Sequence, residues 1–381
     1  MLPATTDVLV VGAGPTGLTV AVGLARLGRH VTVVDGQAEG ANTTRAAVVH
    51  ARTLEVLEPY GVVDALVSRG LRATGFSIRD RDRVLVPVPF GGLPTAYPYT
   101  LMISQEVTEA VLLARLTELG GRVLRPYTVT GVEQDEAGAT VTFAGGESVR
   151  AAYVVGADGM HSTVREQAGI AFTGEAYAES FSLADVRLSG GVPQDEVVLY
   201  FSPAGVLVVA PLPGGSYRIV ATVPEAPRVP DVAFVQRLLD DRGPEAGRAV
   251  VREVVWGSRF QVHHRVADAY RAGRILLAGD AAHVHSPAGG QGMNAGITDG
   301  VALATALDAV LGGGSPGLLD AYGAVRRPVA QQIVSLADRI TRLATVDRRF
   351  RPARNLALRL LAALPAFRRQ LAWRLSGLVY R

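Results

Sequence analysis

A glycine-rich run near the start of the chain has the spacing of a loop that can hold a diphosphate. Its members are Gly12, Gly14, Pro15, Thr16 and Gly17. The first glycine permits a tight turn, the second lets the backbone approach a pyrophosphate, and the third lets the following helix pack closely on the preceding strand. Because the N-terminus of that helix then faces the phosphates, its free N–H groups and its dipole favour their negative charge.

The residues around this run complete the pattern of a dinucleotide-binding unit. Apolar residues 8–11 precede it as a short buried strand, residues 18–27 follow as a helix, and residues 30–34 form the next strand. Asp35 ends that strand, where a carboxylate can accept hydrogen bonds from ribose hydroxyls and disfavours a 2′-phosphate. We therefore predict a βαβ unit that binds FAD or NAD, between which this motif alone does not distinguish.

A second acidic motif follows a strand predicted at residues 151–155. Asp158 lies at the corner where that strand ends, within the run 156–165. Its carboxylate could bind a cofactor from outside the first βαβ unit, or it could cap the helical turn that begins near Ser162. The residues alone leave both interpretations open.

A third acidic motif leads into another glycine-rich loop. Asp280 follows a strand predicted at 274–278, and a carboxylate there suits the hydroxyl groups of a polyol chain. Four glycines lie between Gly289 and Gly296, at the start of a helix predicted over residues 292–311. A helix N-terminus aimed at a flavin would stabilise negative charge on the reduced ring. A plain NAD dehydrogenase would use the first motif but leave this one without a role.

Elsewhere the predicted elements change character. Residues 197–201, 206–210 and 217–222 are strand-like and are separated by turn signals, as in an antiparallel meander. Residues 122–130 are predicted as one strand, and residues 320–347 and 355–380 as helical. We therefore expect a sheet-based second domain inserted into the dinucleotide-binding domain, followed by C-terminal helices.

Composition excludes several kinds of chemistry. The chain has no cysteine, which excludes disulfides, thiolate zinc sites, iron–sulfur clusters and a cysteine nucleophile. It also has no lysine, which excludes a Schiff-base lysine, a P-loop lysine and a lysine general base. The pairs His263/His264 and His283/His285 lack the spacing of a zinc-binding helix, and we predict no metal site.

Charge is concentrated at one end of the chain. Net charge is only +3, but residues 347–381 contain nine arginines and one acidic residue. We predict no nucleic-acid partner, because the basic charge lies in a tail rather than over a broad surface. This tail is either an interfacial helix or a helix packed across both domains with solvated arginines, and we favour the second interpretation, without membrane contact. No signal peptide or membrane-spanning run is recognisable, so we expect a cytoplasmic protein.

Together the three motifs resemble those of the class A flavoprotein monooxygenases, FAD-dependent aromatic hydroxylases of the p-hydroxybenzoate hydroxylase type. The matching stretches are residues 7–58, 97–119, 154–169 and 260–328. The similarity is greatest to hydroxylases that tailor polyketides and other phenolic natural products. Many of these continue into a thioredoxin-like third domain, which we expect to be absent because the sequence ends at Arg381.

The resemblance implies an α/β fold with a Rossmann-like FAD-binding domain of the glutathione-reductase type. We assign this domain to residues 1–72, 100–175 and 265–345, the inserted, mainly antiparallel substrate domain to 73–99 and 176–264, and the C-terminal helical segment to 346–381. FAD would be bound non-covalently, with the glycine-rich run on its diphosphate, Asp35 on the adenosine ribose and Asp280 on the ribityl chain. In the family the Asp158 motif is linked to both FAD and NAD(P)H. The other implied FAD contacts are Arg45, Gln105, Val129, Pro287, Gly290, Gly292, Met293 and Asn294.

The resemblance also implies the reaction. NADPH or NADH would reduce the flavin, O₂ would add at C4a, and the resulting hydroperoxide would transfer one oxygen atom to an aromatic or polycyclic substrate. Since the cofactor carries this chemistry, the only candidates for a direct catalytic part are Arg45 and Pro287. The resemblance places Arg45 at the diphosphate and ribityl region of FAD and Pro287 by the oxygen-reaction pocket. Arg45 and Arg52 could instead gate flavin motion, contact an NADPH phosphate or form structural ion pairs. His50 is a further candidate near the flavin.

Several alternatives remain open within the same fold. Baeyer–Villiger oxidation, epoxidation and drug inactivation differ from hydroxylation mainly in how the substrate lies, which the sequence does not reveal. A flavin halogenase fits less well, because those enzymes use a lysine and this chain has none. From a different class, the protein could be a flavin-binding partner without turnover. Either a monomer or a homodimer is compatible with the sequence.

Overall fold

The structure, a computed structural model, describes residues 1–40, 46–286, 289–344 and 346–381. Its helices are α1 (Pro15–Arg26), α2 (Ala51–Leu57), α3 (Val63–Arg69), α4 (Gln105–Glu118), α5 (Thr163–Gln167), α6 (Val232–Arg242), α7 (Gly292–Leu311), α8 (Gly317–Ala344), α9 (Arg351–Ala362) and α10 (Pro365–Leu375). Its strands are β1 (Thr5–Val11), β2 (Val31–Val34), β3 (Val48–Val49), β4 (Leu71–Ala73), β5 (Gly75–Asp80), β6 (Arg83–Pro89), β7 (Thr100–Met102), β8 (Val123–Leu124), β9 (Val129–Gln134), β10 (Ala139–Phe143), β11 (Ser148–Gly156), β12 (Phe172–Ser189), β13 (Glu196–Ser202), β14 (Gly205–Pro211), β15 (Tyr217–Val223), β16 (Val250–Ala267), β17 (Arg271–Ala272), β18 (Ile275–Leu277) and β19 (His283–Val284).

The first sheet has the strand order β17-β18-β11-β1-β2-β8, and β10 and β9 extend it from β11. Strands β18, β11, β1, β2 and β8 run parallel to one another. Val8, Leu9 and Val10 in β1 are fully buried in succession, so both faces of this strand are covered. The helix α1 packs between this sheet and α7.

Four strands of this sheet end in one row. Val11 of β1 is in register with Val34 of β2 on one side and with Gly156 of β11 on the other. Gly156 is in turn in register with Leu277 of β18. The three sequence motifs start directly after these strand ends, and the carboxyl edge of an open parallel sheet is where ligands bind. The topology therefore brings the three motifs to a single edge.

The second sheet has the order β19-β16-β12-β15-β14-β13-β5-β6 and is antiparallel except for the parallel pair β13 and β5. Its longest strands are β12 and β16, each of 18 residues, which pair along most of their length. The strands β3, β7 and β4 form a third sheet in the order β3-β7-β4. The predicted α/β fold class, with a mainly antiparallel second sheet, is confirmed.

The C-terminal helices cover the end of the second sheet. Leu358 and Ala362 of α9, with Ala372 and Leu375 of α10, join a buried cluster that includes residues of β5, β6 and β13. No described helix is long and apolar enough to cross a membrane. The prediction that all arginines of this segment are solvated was wrong, because the Arg354 side chain is buried among these elements.

Two further predictions of secondary structure were wrong in detail, both at a proline. Residues 122–130 form β8 and β9 rather than one strand, and Pro126, which cannot donate a ladder hydrogen bond, lies between them. Residues 355–380 form parts of α9 and α10, which are separated at Leu364. Leu364 is extended, with φ −82° and ψ 115°, because the residue before a proline disfavours the helical region.

The division into domains stays a prediction. The first sheet draws its strands from residues 5–34, 123–156 and 271–277, and the second from residues 75–89, 172–267 and 283–284. The strands β12 and β16 each begin or end a few residues inside the segments assigned to the dinucleotide-binding domain. The predicted boundaries therefore cross two continuous strands.

Candidate cofactor-binding site

The glycine-rich run forms a tight turn that opens into free space. Gly12 has φ +103°, and a Cβ atom there would lie 2.2 Å from the carbonyl oxygen of Ala157, so only glycine fits. A Cβ atom on Gly14 would meet no described atom within 4 Å. Gly14 is also the N-cap of α1, and no described side chain caps this helix. The N–H groups of its first turn are therefore available to a ligand.

Asp35 lies directly beside this turn. Its Oδ2 accepts from the backbone N–H of Ala13 at 2.8 Å, and its Oδ1 accepts from that of Gln37 at 2.8 Å. Arg125 forms an ion pair with Oδ1 at 3.2 Å. The carboxylate thus shapes the glycine-rich turn itself and still has acceptor capacity toward the open side.

Gln105 begins α4 near the same place. Its side-chain nitrogen donates to Glu109 Oε1 at 2.8 Å, and its backbone N–H donates to the Ala46 carbonyl at 3.1 Å. Burial raises the pKa of Glu109, and the nearby Asp35 carboxylate adds to the shift, while Gln105 and Arg125 oppose it. Glu109 is a member of this cluster that we did not predict from the sequence.

Three of the predicted FAD contacts, Arg45, Pro287 and Val129, have no described side chain at the open site. Arg45 and Pro287 lie outside the described residues. The Val129 side chain is 7% exposed and belongs to the core of the first domain, so only its backbone could reach a cofactor. A role for each of these residues stays a prediction.

The Asp158 carboxylate is used within its own loop. The Ser162 hydroxyl donates to Oδ1 at 2.5 Å, and the Val164 N–H donates to Oδ2 at 3.2 Å. Ser162 is also the N-cap of α5 and accepts from the Arg165 N–H at 2.9 Å. Burial raises the pKa of Asp158, and these hydrogen bonds oppose the shift. The geometry supports the capping interpretation, and cofactor contact by this carboxylate stays a prediction.

Arg165 ties the second motif to the third. Its guanidinium donates to the Ala281 carbonyl and to the Met160 carbonyl, both at 3.0 Å, and lies 4.0 Å from the centre of the Phe172 ring. The residue is only 5% exposed. The sequence shows this arginine at the end of the Asp158 motif. Nothing in its spacing indicates whether the guanidinium is buried and bonds two loops or is exposed on the surface.

The third motif packs directly on the first. A Cβ atom on Gly279 would lie 2.4 Å from Thr16 Oγ1, so glycine is needed where the chain passes the first turn of α1. The next residue, Asp280, is exposed at this edge of the sheet. A carboxylate beside two glycine-lined turns can accept the hydroxyl groups of a polyol that extends between them.

A buried carboxylate on α7 accepts a hydrogen bond from the backbone of this motif. Asp299 of α7 accepts from His283 Nε2 at 2.6 Å, from Arg326 Nε at 2.5 Å and from the Gly279 N–H at 3.3 Å. Burial would raise the pKa of Asp299, but Arg326 and His283 lower it below its usual value. We did not predict this group, although Asp299 is four residues from both Ala295 and Leu303 and so shares their buried helix face.

Asn294 fastens the second glycine-rich loop. Its Oδ1 accepts from the His50 N–H at 2.8 Å and from the Thr53 hydroxyl at 2.7 Å. Its Nδ2 donates to the Val48 carbonyl at 3.0 Å and to the Gly290 carbonyl at 2.8 Å. The amide has no further hydrogen-bonding capacity, so a contact with a flavin would come from its backbone.

The remaining residues at the start of α7 present backbone rather than side chains. Gly292 is the first residue of the helix, and Met293 is 9% exposed and packs in the core. No described side chain caps this helix either.

His50 contacts the same loop. Burial lowers the pKa of His50 to about 4, so its ring is neutral at pH 7 and Nε2 donates to the Gly289 carbonyl at 2.9 Å.

These features fit FAD. An open cradle at Gly14, a second uncapped helix start at Gly292 and an exposed Asp280 between them suit a diphosphate, a flavin ring and a ribityl chain, respectively. The residues that would hold the diphosphate, at Gly12–Gly17, and those that would face the ring, at the start of α7, are far apart in the sequence.

Comparison with known proteins agrees with this geometry. Residues 5–337 match the FAD binding domain family. The chain is 38% identical over 383 residues to 6-methylpretetramide 4-monooxygenase of Streptomyces rimosus, and the match covers 97% of this chain and 68% of that protein. The structure of anhydrotetracycline hydroxylase from Streptomyces rimosus is similar with a TM-score of 0.82 at 35% identity, covering 98% of this chain and 76% of that one. The structure of p-nitrophenol 4-monooxygenase from Pseudomonas putida is similar with a TM-score of 0.86 at 26% identity, covering 98% of both chains.

The chain therefore belongs to the FAD binding domain family. The predicted resemblance to aromatic and polyketide-tailoring hydroxylases is confirmed. Within that family the protein is an FAD-dependent monooxygenase.

Proposed function

We propose that this protein uses FAD, NAD(P)H and O₂ to insert one oxygen atom into an aromatic or polycyclic phenolic natural product. The observation that carries the proposal is the row formed by the ends of β2, β1, β11 and β18, which brings the three motifs to one edge. The substrate class is supported by the polycyclic substrates in the names of the matched tetracycline-pathway enzymes.

The chain's own residues would bind and orient the cofactor. Gly12, Gly14 and the first turn of α1 would hold the diphosphate, Asp35 the adenosine ribose, and Asp280 the ribityl hydroxyls. FAD bound in this way supplies the redox chemistry, taking electrons from NAD(P)H and activating O₂. The start of α7 would stabilise negative charge that develops beside it, because the helix dipole is positive there.

An apolar region next to the second glycine-rich loop would form one wall of the substrate site. Ala73, Met102, Ala210 and Leu212 form a buried cluster where β4 and β7 meet β14, and Val48 packs against it. A Cβ atom on Gly290 would lie 2.2 Å from Val48 Cγ1, so this cluster adjoins the loop that would face the flavin. Apolar side chains at this point suit an aromatic ring system.

The assignment of residues 73–99 and 176–264 to substrate binding is part of this proposal, as are the roles of Arg45 and Pro287. We also propose that the protein works in the cytoplasm, where NAD(P)H is supplied.

The test is reconstitution with FAD followed by a substrate screen. The purified chain should bind about one FAD, and phenolic polycyclic compounds should accelerate NAD(P)H oxidation and yield a product heavier by one oxygen atom. NMR of the product then distinguishes hydroxylation from ring expansion or epoxidation. A chain that folds but binds no FAD, or that binds FAD and never yields an oxygenated product, would contradict the proposal.

A glycine variant separates cofactor binding from folding. Gly14 has an ordinary φ of −76° and open space where a Cβ would stand, so Gly14→Ala should keep the melting temperature of the apo chain. If the diphosphate lies over Gly14, the added methyl group should weaken FAD binding by about tenfold or more. Gly91→Ala is the matched control, because Gly91 also has no described atom within 4 Å of its Cβ position and lies in a loop of the other domain.

A further inference from the structure

The C-terminal segment, residues 351–381, is fastened to the second sheet at its beginning. Arg351 forms an ion pair with Asp80 at 3.0 Å, and the Asn355 amide donates to the same carboxylate at 2.5 Å. The Arg354 guanidinium lies 5.1 Å from the centre of the Phe201 ring. With the apolar contacts of α9 and α10, these bonds hold the segment against β5, β6 and β13.

The far end of the segment is bonded to the loop that would face the flavin. Gln291, the residue before the first residue of α7, donates from Nε2 to the Leu375 carbonyl at 3.0 Å. The Arg52 N–H of α2 donates to the Ser376 carbonyl at 3.1 Å. The turn after α10 is therefore in direct contact with the start of α7.

An ion pair closes this contact. Arg381 donates from Nε to Glu55 Oε2 at 3.2 Å and from its terminal nitrogen to Glu55 Oε1 and to the Pro94 carbonyl. Burial would raise the pKa of Glu55, but its hydrogen bonds from Arg381, Thr95 and Arg52 lower it, so the carboxylate is charged at neutral pH. Because two hydrogen bonds join the guanidinium and the carboxylate, the pair fixes the relative orientation of the two side chains as well as their separation.

Glu55 belongs to the helix that also holds the second glycine-rich loop. The start of α2 carries His50, which donates to Gly289, and Thr53, which donates to Asn294. A small cavity lies between α2, α7, α8 and the C-terminal turn, and Gln291 and Tyr380 are among the residues that line it. The loop is thus held from one side by α2 and from the other by the C-terminal segment.

We propose that Arg381 and Glu55 are positioning residues for the FAD-facing loop: their ion pair holds the turn at 375–378 against Gln291 and so sets where α7 begins. The inference rests on the proposed function, which places the flavin beside that loop. Because the same segment is bonded to Asp80 and Phe201 of the second sheet, it also links the substrate side of the molecule to the cofactor side.

The test compares Arg381→Gln and Glu55→Gln with the wild-type chain and with Arg349→Gln. Arg349 is a matched control just before this segment, since its side chain is 75% exposed and its ion pair is with the neighbouring Asp347. Hydrogen exchange of the apo chain should accelerate by about tenfold in residues 289–296 of both test variants and remain unchanged in residues 12–20. The dissociation constant for FAD, measured from flavin fluorescence, should rise several-fold, and the visible spectrum of the bound flavin should shift.

Charge reversal provides the rescue. The double variant Glu55→Arg/Arg381→Glu should recover part of the loop protection and of the FAD affinity, whereas either single reversal should lose both. If Arg381→Gln fails to fold, Arg381→Lys, which keeps the charge and loses the two-point geometry, should give an intermediate effect.

Each result decides between two outcomes. Faster exchange confined to residues 375–381, with residues 289–296 unchanged, would overturn the inference even if the variants lose thermal stability. A wild-type chain that binds no FAD would instead overturn the proposed function. The exchange comparison on the apo chain would still decide whether the ion pair positions the loop.

Discussion

At the residue scale, Asp299 of α7 connects the third motif to α8. Its carboxylate binds the Gly279 N–H of the third motif and two cationic or titratable side chains, Arg326 and His283, while being fully buried. Replacing it by asparagine keeps the shape but leaves the Arg326 charge without its buried partner. We expect Asp299→Asn to lower the free energy of unfolding by about 3–5 kcal/mol.

Urea unfolding of the apo chain measures this loss. The control is Asp320→Asn, since Asp320 is 68% exposed in its ion pair with Arg271 and should contribute at most about 1 kcal/mol. Equal losses of unfolding free energy in the two variants would show that the buried Asp299 carboxylate contributes no more to stability than the exposed Asp320 carboxylate.

His50 predicts a pH dependence of stability. Burial lowers its pKa from 6.5 to about 4 in the folded chain, so the unfolded chain binds a proton that the folded chain excludes between these values. This contribution to stability is therefore fully present above pH 6.5 and is lost as the pH falls toward 4, at up to about 1.4 kcal/mol per pH unit. Burial lowers the pKa of His285 to about 4 as well, which doubles the effect.

The measurement is the unfolding free energy of the wild type and of His50→Gln from pH 7.5 to 4.5. The variant should have a shallower slope, because the proton excluded at His50 no longer contributes, even if its stability at pH 7.5 is lower. Parallel pH profiles would mean that His50 is not the group responsible.

Sequence patterns predicted the residues that carry motifs better than the residues that support them. Gly12, Asp158 and Asp280 stand at fixed positions after strand ends, so their spacing is visible in the chain. Arg165 and Asp299 act through partners more than a hundred residues away or on another helix, and only the folded structure shows that they are buried. The capping role of Asp158 was predicted as one of two interpretations, since Ser162 lies within reach along the chain.

At the element scale, α9 offers a test of how the C-terminal helices pack. Leu358 is 7% exposed and faces the second sheet, whereas Leu360, two residues later, is 64% exposed. Truncating a buried leucine removes its contacts and leaves a cavity, so Leu358→Ala should cost about 2–5 kcal/mol of stability. Leu360→Ala should change stability by less than about 0.5 kcal/mol.

Both substitutions remove the same atoms from the same helix, so intrinsic helix propensity cancels between them. Chemical denaturation of the two variants gives the comparison directly. A larger loss in Leu360→Ala would mean that the helix is rotated or that its outer face is covered in solution.

Regular elements were predictable where the apolar period is clear. The helix predicted at 292–311 coincides with α7, and the three predicted strands of the meander correspond to β13, β14 and β15. The errors at Pro126 and Leu364 arose because the apolar pattern continues across each proline while the backbone does not. The parallel pairing of β13 with β5 was beyond sequence reasoning, because it joins segments separated by more than a hundred residues.

At the scale of the whole molecule, cofactor binding should stabilise the fold. The site draws on β1, β2, β11, β18 and α7, so an unfolded chain lacks it entirely. At a free FAD concentration about a hundredfold above its dissociation constant, the free energy of unfolding should rise by about 2.7 kcal/mol. Calorimetry with and without FAD measures the shift, and riboflavin, which lacks the diphosphate, should produce a smaller one.

The two long strands explain why a domain boundary is hard to place from the sequence. Residues of β12 and β16 near Phe172 and Ala267 adjoin the first sheet, and the same strands continue for 18 residues to the far side of the second. A boundary in sequence normally falls in a polar linker, but the predicted boundaries at 175/176 and 264/265 fall within the paired strands β12 and β16. The composition of the chain therefore does not indicate where it passes from the first sheet to the second.

The row of strand ends also has a consequence for synthesis of the protein. Chains leave the ribosome from the N-terminus, and the diphosphate turn at Gly12 emerges long before Asp280 and the start of α7. A nascent chain stalled before residue 280 would carry the fingerprint but lack the residues proposed to hold the ribityl chain and the isoalloxazine ring, and should be colourless. Acquisition of the chromophore should therefore wait until the start of α7 has been translated.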